Sequence, residues 1–319
     1  MQYLLITILL FILELVYFKI ADKFNIIDKP NERSSHSDIT LRGGGIIFYI
    51  GILAFFIVSG FQYPYFFVGI TLISIISFLD DILTLSNKIR IVIQFISILL
   101  MFYQAQLLGF PLWIIILSLI VGVGIINAYN FMDGINGITV SNSLAVLLLL
   151  AITNYEIKFA EADLIYYSII SCLVFGFFNF RQKAKCFAGD VGSVSIAFII
   201  LFLMALLIVK TQNIIYILFL TVYGVDSILT IIRRIMKKEN IFEAHRSHLY
   251  QILVNENQSN KLMIASFYGI LQFLIGLIII FSTKYSFEIQ ILISSLILVI
   301  CGSVYLILKK SLIRKYKIQ

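Results

Sequence analysis

Long apolar runs separated by short polar loops make up most of this 319-residue chain. Runs of about 16–21 apolar residues have the length that an α-helix needs to cross roughly 30 Å of hydrocarbon. The pattern predicts an all-α, polytopic integral membrane protein with about 11 transmembrane helices, organised as a single integral membrane domain over residues 1–319. The predicted spans are about 3–18, 44–60, 64–79, 91–106, 111–127, 138–153, 163–180, 192–209, 213–232, 262–282 and 288–308.

Composition supports a membrane setting, since 61% of the residues are hydrophobic and only 13% are charged. A soluble domain of this length does not have such a composition. The net charge of +7 is spread between the apolar runs and forms no basic domain, which argues against nucleic acid as a partner. The first run is followed by Lys19 and a polar loop without a small-residue cleavage site, so we expect a retained span.

Lys and Arg residues are distributed unevenly between the two sets of loops. Of the 24, all but Lys158, Lys210 and Lys284 lie in loops after odd-numbered runs. Cytoplasmic loops carry the excess of Lys and Arg. We therefore expect an outside N-terminus and a cytoplasmic C-terminus. Four polar islands, around residues 80–81, 127–133, 189–190 and 245–248, then share the cytoplasmic face and predict one active site there.

Asp80 and Asp81 follow the third apolar run. Adjacent carboxylates at a helix C-terminus oppose the helix dipole and repel each other. A divalent metal or a basic partner should compensate them, and the two acids could divide metal binding and proton transfer. The alternative is a helix end in contact with water.

Asn127, Asn130 and Asp133 recur at a spacing of three where the fifth run ends, and Gly134–Gly137 follow. On a helix they would share one face. Amides offer donors and acceptors to a nucleotide or phosphate, and Asp133 could bind a metal. The alternative is a glycine-rich turn capped by amides.

Gly189 and Asp190 precede the eighth run. Glycine allows close backbone approach, and a helix N-terminus attracts anions, although Asp190 could equally be a plain N-cap. Arg42 and the glycines at 43–45 open the second run, which suggests close helix packing or backbone contact with a ligand. Cys172, Cys186 and Cys301 have no metal-ligand spacing and are expected to be isolated thiols.

His245, Arg246 and His248 lie in a long basic loop. Their side chains suit phosphate binding through charge-assisted hydrogen bonds, whereas the alternative is a basic loop at the membrane surface. Acids for a divalent cation, amides and glycines for a nucleotide, and His and Arg for phosphate together indicate metal-assisted phosphoryl transfer between a cytosolic nucleotide and a membrane lipid.

The islands resemble, in order, the motifs of the polyprenyl-phosphate N-acetylhexosamine-1-phosphate transferase family, from about Asp28 to Gln251. The motifs are Pro30-Asn-x-Arg-x-x-His36 with the glycine pair, Asp80-Asp81, Asn127-x-x-Asn-x-x-Asp-Gly134, Gly189-Asp-Val-Gly-Ser193 and the His-rich loop. The loop most resembles the branch that initiates O-antigen or capsule-type polysaccharides. The resemblance implies transfer of a sugar-1-phosphate from a UDP-N-acetylhexosamine to undecaprenyl phosphate, with UMP as the second product.

The resemblance also implies roles for individual residues. Asp190, with Asp133, would hold Mg²⁺, with Mn²⁺ as the alternative, and Asp80 or Asp81 would deprotonate or position the lipid phosphate. Phe187 would stack on uracil. Candidate nucleotide, phosphate or sugar contacts are Asn127, Asn130, Asn136, Asn179, Gly44, Arg42, His36, His245, Arg246 and His248.

Two departures from the family pattern concern the substrate contacts. Position 136 is Asn where many members have Asp, and residues 181–186 lack a proline that is often present. A transporter with carboxylate ion sites is the non-enzyme alternative, because intramembrane acids often mark ion paths. A CDP-alcohol phosphatidyltransferase needs Ala-Arg and further spaced acids after Asp133-Gly134, which are not there.

The resemblance implies a multi-pass protein of the bacterial cytoplasmic (inner) membrane that acts early in cell-envelope polysaccharide synthesis. The expected partners are the lipid bilayer, undecaprenyl phosphate, the UDP-sugar and a second copy of the chain in a homodimer.

Overall fold

A computed structural model describes residues 1–28, 39–83, 85–240 and 246–317. The described residues are almost entirely helical, which confirms the all-α, polytopic class. The α-helices are α1 Gln2–Lys23, α2 Ile46–Val58, α3 Pro64–Leu83, α4 Asn87–Gln104, α5 Leu112–Met132, α6 Ile138–Ile157, α7 Ala162–Asn179, α8 Gly189–Thr211, α9 Thr221–Met236, α10 Leu249–Asn255, α11 Lys261–Ser282 and α12 Phe287–Tyr316. Two short strands, β1 Ile27–Asp28 and β2 Thr40–Leu41, pair antiparallel.

Every predicted apolar run is helical, but not every helix has the length of a membrane span. Within the described ranges, nine helical segments are long and apolar enough to cross a membrane. Helix α2 has only 13 residues, which rise about 20 Å. Helix α4 begins with the polar residues Asn87, Lys88 and Arg90 and is amphipathic. The ninth run begins as a 3₁₀-helix, Ile214–Leu220, before α9.

Helix α8 is the centre of the bundle. Its side chains are buried along nearly its whole length, and it packs against α2, α3, α5 and α6. A helix that is apolar on all sides belongs in such an interior position. Helix α12, in contrast, exposes most of its apolar side chains, as expected for a lipid-facing helix. The polar start of α8 is therefore surrounded by the ends of other helices.

The three cysteines are separate thiols, as predicted. Cys172 and Cys301 lie in α7 and α12, and Cys186 is buried in the loop before α8. The Cys186 thiol lies 3.6 Å from the Glu14 Oε1 atom of α1. Both groups pack against Gly44, in the glycine segment that leads into α2.

Gly45 and Gly192 bring the starts of α2 and α8 into backbone contact. A Cβ atom on Gly45 would lie 2.3 Å from the Cα atom of Gly192, and the Gly45 N–H donates to the carbonyl oxygen of Ala188 at 3.1 Å. The close helix packing predicted from the glycines is confirmed at this point. Any side chain here would push apart the two helix ends that frame the polar site.

Gly45→Ala is expected to lower stability by about 1–3 kcal/mol, the usual cost of overpacking. The measurement is the apparent melting temperature of the detergent-solubilised protein. Gly124→Ala is the matched control, because a Cβ atom at Gly124 in α5 meets nothing within 4 Å and Ala favours helix. Equal melting temperatures for the two variants would contradict the packing described for Gly45.

Candidate active site

The polar islands at residues 80–81, 130–133 and 189–190 meet at one end of the bundle. The C-terminal ends of α3 and α5, the N-terminal end of α8 and the segment before α2 converge there. Their side chains are joined by hydrogen bonds and ion pairs across large sequence separations. The structure therefore brings three of the four predicted islands together, and their service as one active site stays a prediction.

Asp81 is the buried carboxylate that organises this end. Its side chain is fully buried and accepts hydrogen bonds from the backbone N–H groups of Asp190 at 2.9 Å and Val191 at 3.0 Å. The Nε atom of Arg42 lies 2.7 Å from its Oδ1 atom. Asp81 thus sits at the positive end of the α8 dipole, which offsets its unfavourable place at the end of α3. Asp190 is not the helix cap, since Asp81 accepts the hydrogen bonds there.

Gly189 makes the approach of Asp81 to α8 feasible. Its φ angle is +70°, in the left-handed region that favours glycine, and a Cβ atom would lie 2.5 Å from the Asp81 Oδ2 atom. The glycine predicted for close backbone approach therefore serves contact with a protein carboxylate.

Arg90 joins the other two acids of the site. Its Nη1 atom donates to the Oδ2 atom of Asp80 at 2.6 Å, and its Nη2 atom lies 3.4 Å from the Oδ2 atom of Asp190. The other Asp80 oxygen accepts the backbone N–H of Leu85 at 2.6 Å. Charge-assisted contacts of this kind are the strong ones.

Asp190 is the point where the two arginines meet. Its Oδ1 atom accepts from the Nη2 atom of Arg42 at 3.3 Å, and its Oδ2 atom accepts from the Nδ2 atom of Asn130 at 3.2 Å. Ser193 in turn donates to the Oδ1 atom of Asn130 at 3.1 Å and fixes the amide. Two arginines thus lie against three carboxylates, as the basic-partner alternative predicts, and a divalent metal stays a prediction.

Asp133 lies just beyond the end of α5 and is half-buried. Its Oδ1 atom accepts from the Thr139 hydroxyl at 2.5 Å. Burial raises the pKa of Asp133 to about 6, and the negative charge of Asp190 adds to this effect, while the Thr139 hydrogen bond and Arg42 oppose it. Asp133 therefore responds electrostatically to the acid cluster.

The remaining predicted amides have scaffold contacts. Asn127 donates to the Oε1 atom of Gln94 on α4 at 3.1 Å. Asn136 is buried and donates to the carbonyl oxygen of Arg181 at 2.7 Å. Asn179 accepts from the Gly137 N–H at 2.8 Å and donates to the Cys186 carbonyl oxygen at 2.9 Å. The Asn136 bond and the Gly137–Asn179 bond join the loop after α5 to the end of α7 and the loop after it, and contact of these amides with a nucleotide stays a prediction.

Gly44 and Phe187 also contact each other through the backbone. The Gly44 N–H donates to the Phe187 carbonyl oxygen at 2.9 Å, and the Phe187 N–H donates to the Leu41 carbonyl oxygen at 2.8 Å. This pairing holds the Phe187 backbone two residues before the start of α8 at Gly189. Stacking of the Phe187 ring on a base stays a prediction.

His36 and His245 lie outside the described residues, so their predicted contacts have no structural counterpart here. Arg246 is half-buried, but His248 is only 1% exposed and precedes α10, where its backbone N–H donates to the Gln251 Oε1 atom at 3.2 Å. Its Nδ1 atom lies 3.2 Å from the Oδ1 atom of Asp226. His248 thus has a structural task at the start of α10, and contact with phosphate or sugar stays a prediction.

Two residues of this end were missed by the sequence reading. Arg90 directly precedes the apolar run 91–106, where the sequence indicates only one more loop charge. Asp226 lies inside the ninth apolar run, and a carboxylate in that position is itself a signal of function. Neither has a neighbour in sequence that reveals its partner.

The donor set suits a hard divalent cation. Within the described segments, no three His, Cys, Asp or Glu side chains form a metal-holding group. Mg²⁺, however, is usually bound by one or two carboxylates together with water and substrate phosphates. Asp190 and Asp133 are oxygen donors of that kind, and Asn130 adds an amide next to Asp190.

Comparison with known proteins agrees with this geometry. The family described as glycosyl transferase family 4 matches residues 63–209. A probable undecaprenyl-phosphate N-acetylglucosaminyl 1-phosphate transferase of Bacillus subtilis is 29% identical over 278 residues, which cover 78% of this chain and 75% of that protein. Undecaprenyl-phosphate alpha-N-acetylglucosaminyl 1-phosphate transferases of Salmonella typhi and Escherichia coli K12 are 27% and 26% identical, each covering 81% of this chain and 77% of the relative.

The fold, the site and these similarities define a polytopic membrane transferase. Residues 63–209 match glycosyl transferase family 4, and this match, together with the similar relatives, agrees with the resemblance that the motifs indicated.

Proposed function

We propose that this protein transfers N-acetylhexosamine-1-phosphate, or a deoxy-amino-sugar relative, from a UDP-sugar to undecaprenyl phosphate. The products are undecaprenyl-diphosphate sugar and UMP. The observation that carries the proposal is the convergence of Asp80, Asp81 and Asp190 with Arg42 and Arg90 at one end of a lipid-facing bundle. The functions for which the similar proteins are named support the same reaction.

The residues divide into those that hold the donor and those that hold the acceptor. Asp190 and Asp133 would hold Mg²⁺, which when bound would neutralise charge on the donor diphosphate. Arg42 and Arg90 bind phosphate oxygens, because a guanidinium matches their planar, bidentate geometry. An oxygen of the lipid phosphate attacks the sugar-bearing phosphorus, and the bond from that phosphorus to the UMP oxygen breaks.

Asp80 is the better candidate to position or deprotonate the lipid phosphate. Asp81 is committed to the start of α8 through two backbone hydrogen bonds. Asp80 instead shares Arg90 with Asp190, so its partner is itself a phosphate-binding group. A phosphate that engages Arg90 is thereby brought next to the carboxylate of Asp80.

The setting follows from the charge pattern of the loops. The Lys- and Arg-rich loops share the end of the bundle that carries the site, and such loops face the cytoplasm. We place the protein in the bacterial cytoplasmic membrane, with the site open to cytosolic UDP-sugars. It would catalyse the first membrane step of a cell-envelope polysaccharide of the O-antigen, capsule or teichoic-acid type.

The proposal is tested by UMP release from purified protein in detergent with undecaprenyl phosphate, Mg²⁺ and a panel of UDP-N-acetylhexosamines. Release should require both the lipid and the metal, should stop with EDTA and should return with Mg²⁺ or Mn²⁺. The preferred donor identifies the sugar. A folded protein that releases no UMP with any donor, including deoxy-amino sugars, would contradict the proposal and favour the transporter.

A further inference from the structure

Asp226 is a carboxylate in the middle of α9 that is only 2% exposed. Donors from several elements surround it. Tyr268 of α11 donates to its Oδ2 atom at 2.8 Å, and the backbone N–H of Leu249 donates to its Oδ1 atom at 3.1 Å. The Nδ1 atom of His248 lies 3.2 Å from the same Oδ1 atom, and the Thr230 hydroxyl lies 3.3 Å from it. A buried acid with this many partners joins α9, α10 and α11.

A second buried charge lies one step beyond Thr230. The Lys309 side chain of α12 is 3% exposed and donates to the Thr230 hydroxyl at 2.8 Å and to the Tyr305 hydroxyl at 2.5 Å. Its positive charge is thus connected to Asp226 through Thr230. Buried charges persist when they are paired and hydrogen-bonded, so Lys309 favours the ionised form of the acid.

An ionised carboxylate only accepts hydrogen bonds, which determines the proton on His248. The Nδ1 atom that faces Asp226 must carry a hydrogen, and in the neutral ring the Nε2 atom is then the acceptor. The same pairing of a buried acid with Nδ1–H sets the tautomer and orientation of histidine in hydrolase triads.

The N-terminal end of α10, which contacts Asp226, also packs against the segment around Asp133. The Tyr250 hydroxyl donates to the Phe131 carbonyl oxygen at 3.0 Å. A Cβ atom on Gly134 would lie 2.2 Å from the same hydroxyl. Phe131 and Gly134 lie on either side of Asp133 in the sequence. The packing of α10 therefore depends on the position of Asp133, and the position of Asp133 depends on that packing.

We propose that Asp226 is a positioning residue that fixes the Nδ1-protonated tautomer and the orientation of His248 and seats α10 against the Asp133 segment. This inference rests on the proposed function, because α10 contacts the segment that carries Asp133. It concerns a buried network that touches no substrate and acts only through His248 and α10.

The tautomer can be measured directly in the unmodified protein. The chain has three histidines, so ¹⁵N-histidine labelling gives few imidazole signals, and His248→Gln identifies the one that belongs to His248. We expect a ring protonated on Nδ1 across the neutral pH range. A ring protonated on Nε2 alone would overturn the inference, and this result needs no turnover and no altered Asp226.

The kinetic test compares Asp226→Asn with Tyr268→Phe. The amide must place an N–H donor against either His248 and Leu249 or the Tyr250 backbone, so kcat for UMP release should fall about 10- to 100-fold, the usual loss for a supporting partner. Tyr268→Phe removes one donor from the same carboxylate without touching His248, and its kcat should stay within about threefold of the parent.

Either of two results would overturn the positioning role. One is a parent-like kcat in Asp226→Asn. The other is an equal loss of kcat and melting temperature in Asp226→Asn and Tyr268→Phe with an unchanged His248 tautomer, which would mean a purely structural role. A parent protein that releases no UMP would instead count against the proposed function, whereas the tautomer still decides the Asp226–His248 pairing.

Discussion

Replacing Asp190 with Asn is expected to lower kcat for UMP release by about 10²- to 10³-fold or more, the scale of losing a preorganised electrostatic contact. Among the residues that the structure describes, Asp190 is the side chain that contacts Arg42, Arg90 and Asn130 together. Asn has nearly the same shape and keeps one acceptor oxygen, so the helix ends should stay in place. It removes the negative charge that would hold the metal and orient both arginines.

The measurement is single-turnover and steady-state UMP release at saturating Mg²⁺, with the melting temperature as a check on folding. Asp163→Asn is the matched control, because it makes the same chemical change at the exposed start of α7, where Asp163 accepts from the Tyr3 hydroxyl at 2.7 Å. The control should keep parent activity. An Asp190→Asn protein within tenfold of the parent would remove Asp190 from the centre of the mechanism.

The positions of the helices were predictable because bilayer thickness fixes both the length and the composition of a span. Helix α2 departs from the rule because it packs on α8 through Gly45 and Gly192 and ends after 13 residues. Helix α10 was unpredicted for a related reason. Its start is held by Asp226, which lies 23 residues before Leu249, and no local pattern reveals that bond.

The acids of the site were predictable, whereas their partners were not. A carboxylate beside an apolar run is energetically costly. The sequence therefore identifies Asp80, Asp81 and Asp190 as candidate site residues. Arg90 looked like one loop charge among many, and only the fold brings it between Asp80 and Asp190. Sequence reading therefore finds where a site lies more readily than it finds which side chains meet there.

The contacts between the two arginines and the three acids determine the formal charge of the site. Three carboxylates face two guanidinium groups, so the cluster keeps a formal excess of one negative charge. That excess suits a single divalent cation that arrives with a diphosphate. Under the proposed function, the same arginines that contact these acids would also receive phosphate oxygens of the substrate.

Arg90→Met is expected to lower kcat about 10²-fold or more, because a guanidinium that faces phosphoryl charge contributes strongly to transfer. Its loss leaves Asp80 bound only to the Leu85 N–H among the contacts described above and increases the repulsion between Asp80 and Asp190. Arg90→Lys should recover part of the rate, since it restores the charge but not the two-pronged contact.

Lys88→Met is the matched control for Arg90, because it removes one positive charge two residues earlier on the same helix from an exposed side chain. The readout is kcat and KM for both substrates, measured at several Mg²⁺ concentrations. A loss specific to Arg90→Met, with a raised KM for undecaprenyl phosphate, would assign Arg90 to the lipid phosphate. Equal rates in the two variants would mean that surface charge alone, and not the bridge between Asp80 and Asp190, matters at this position.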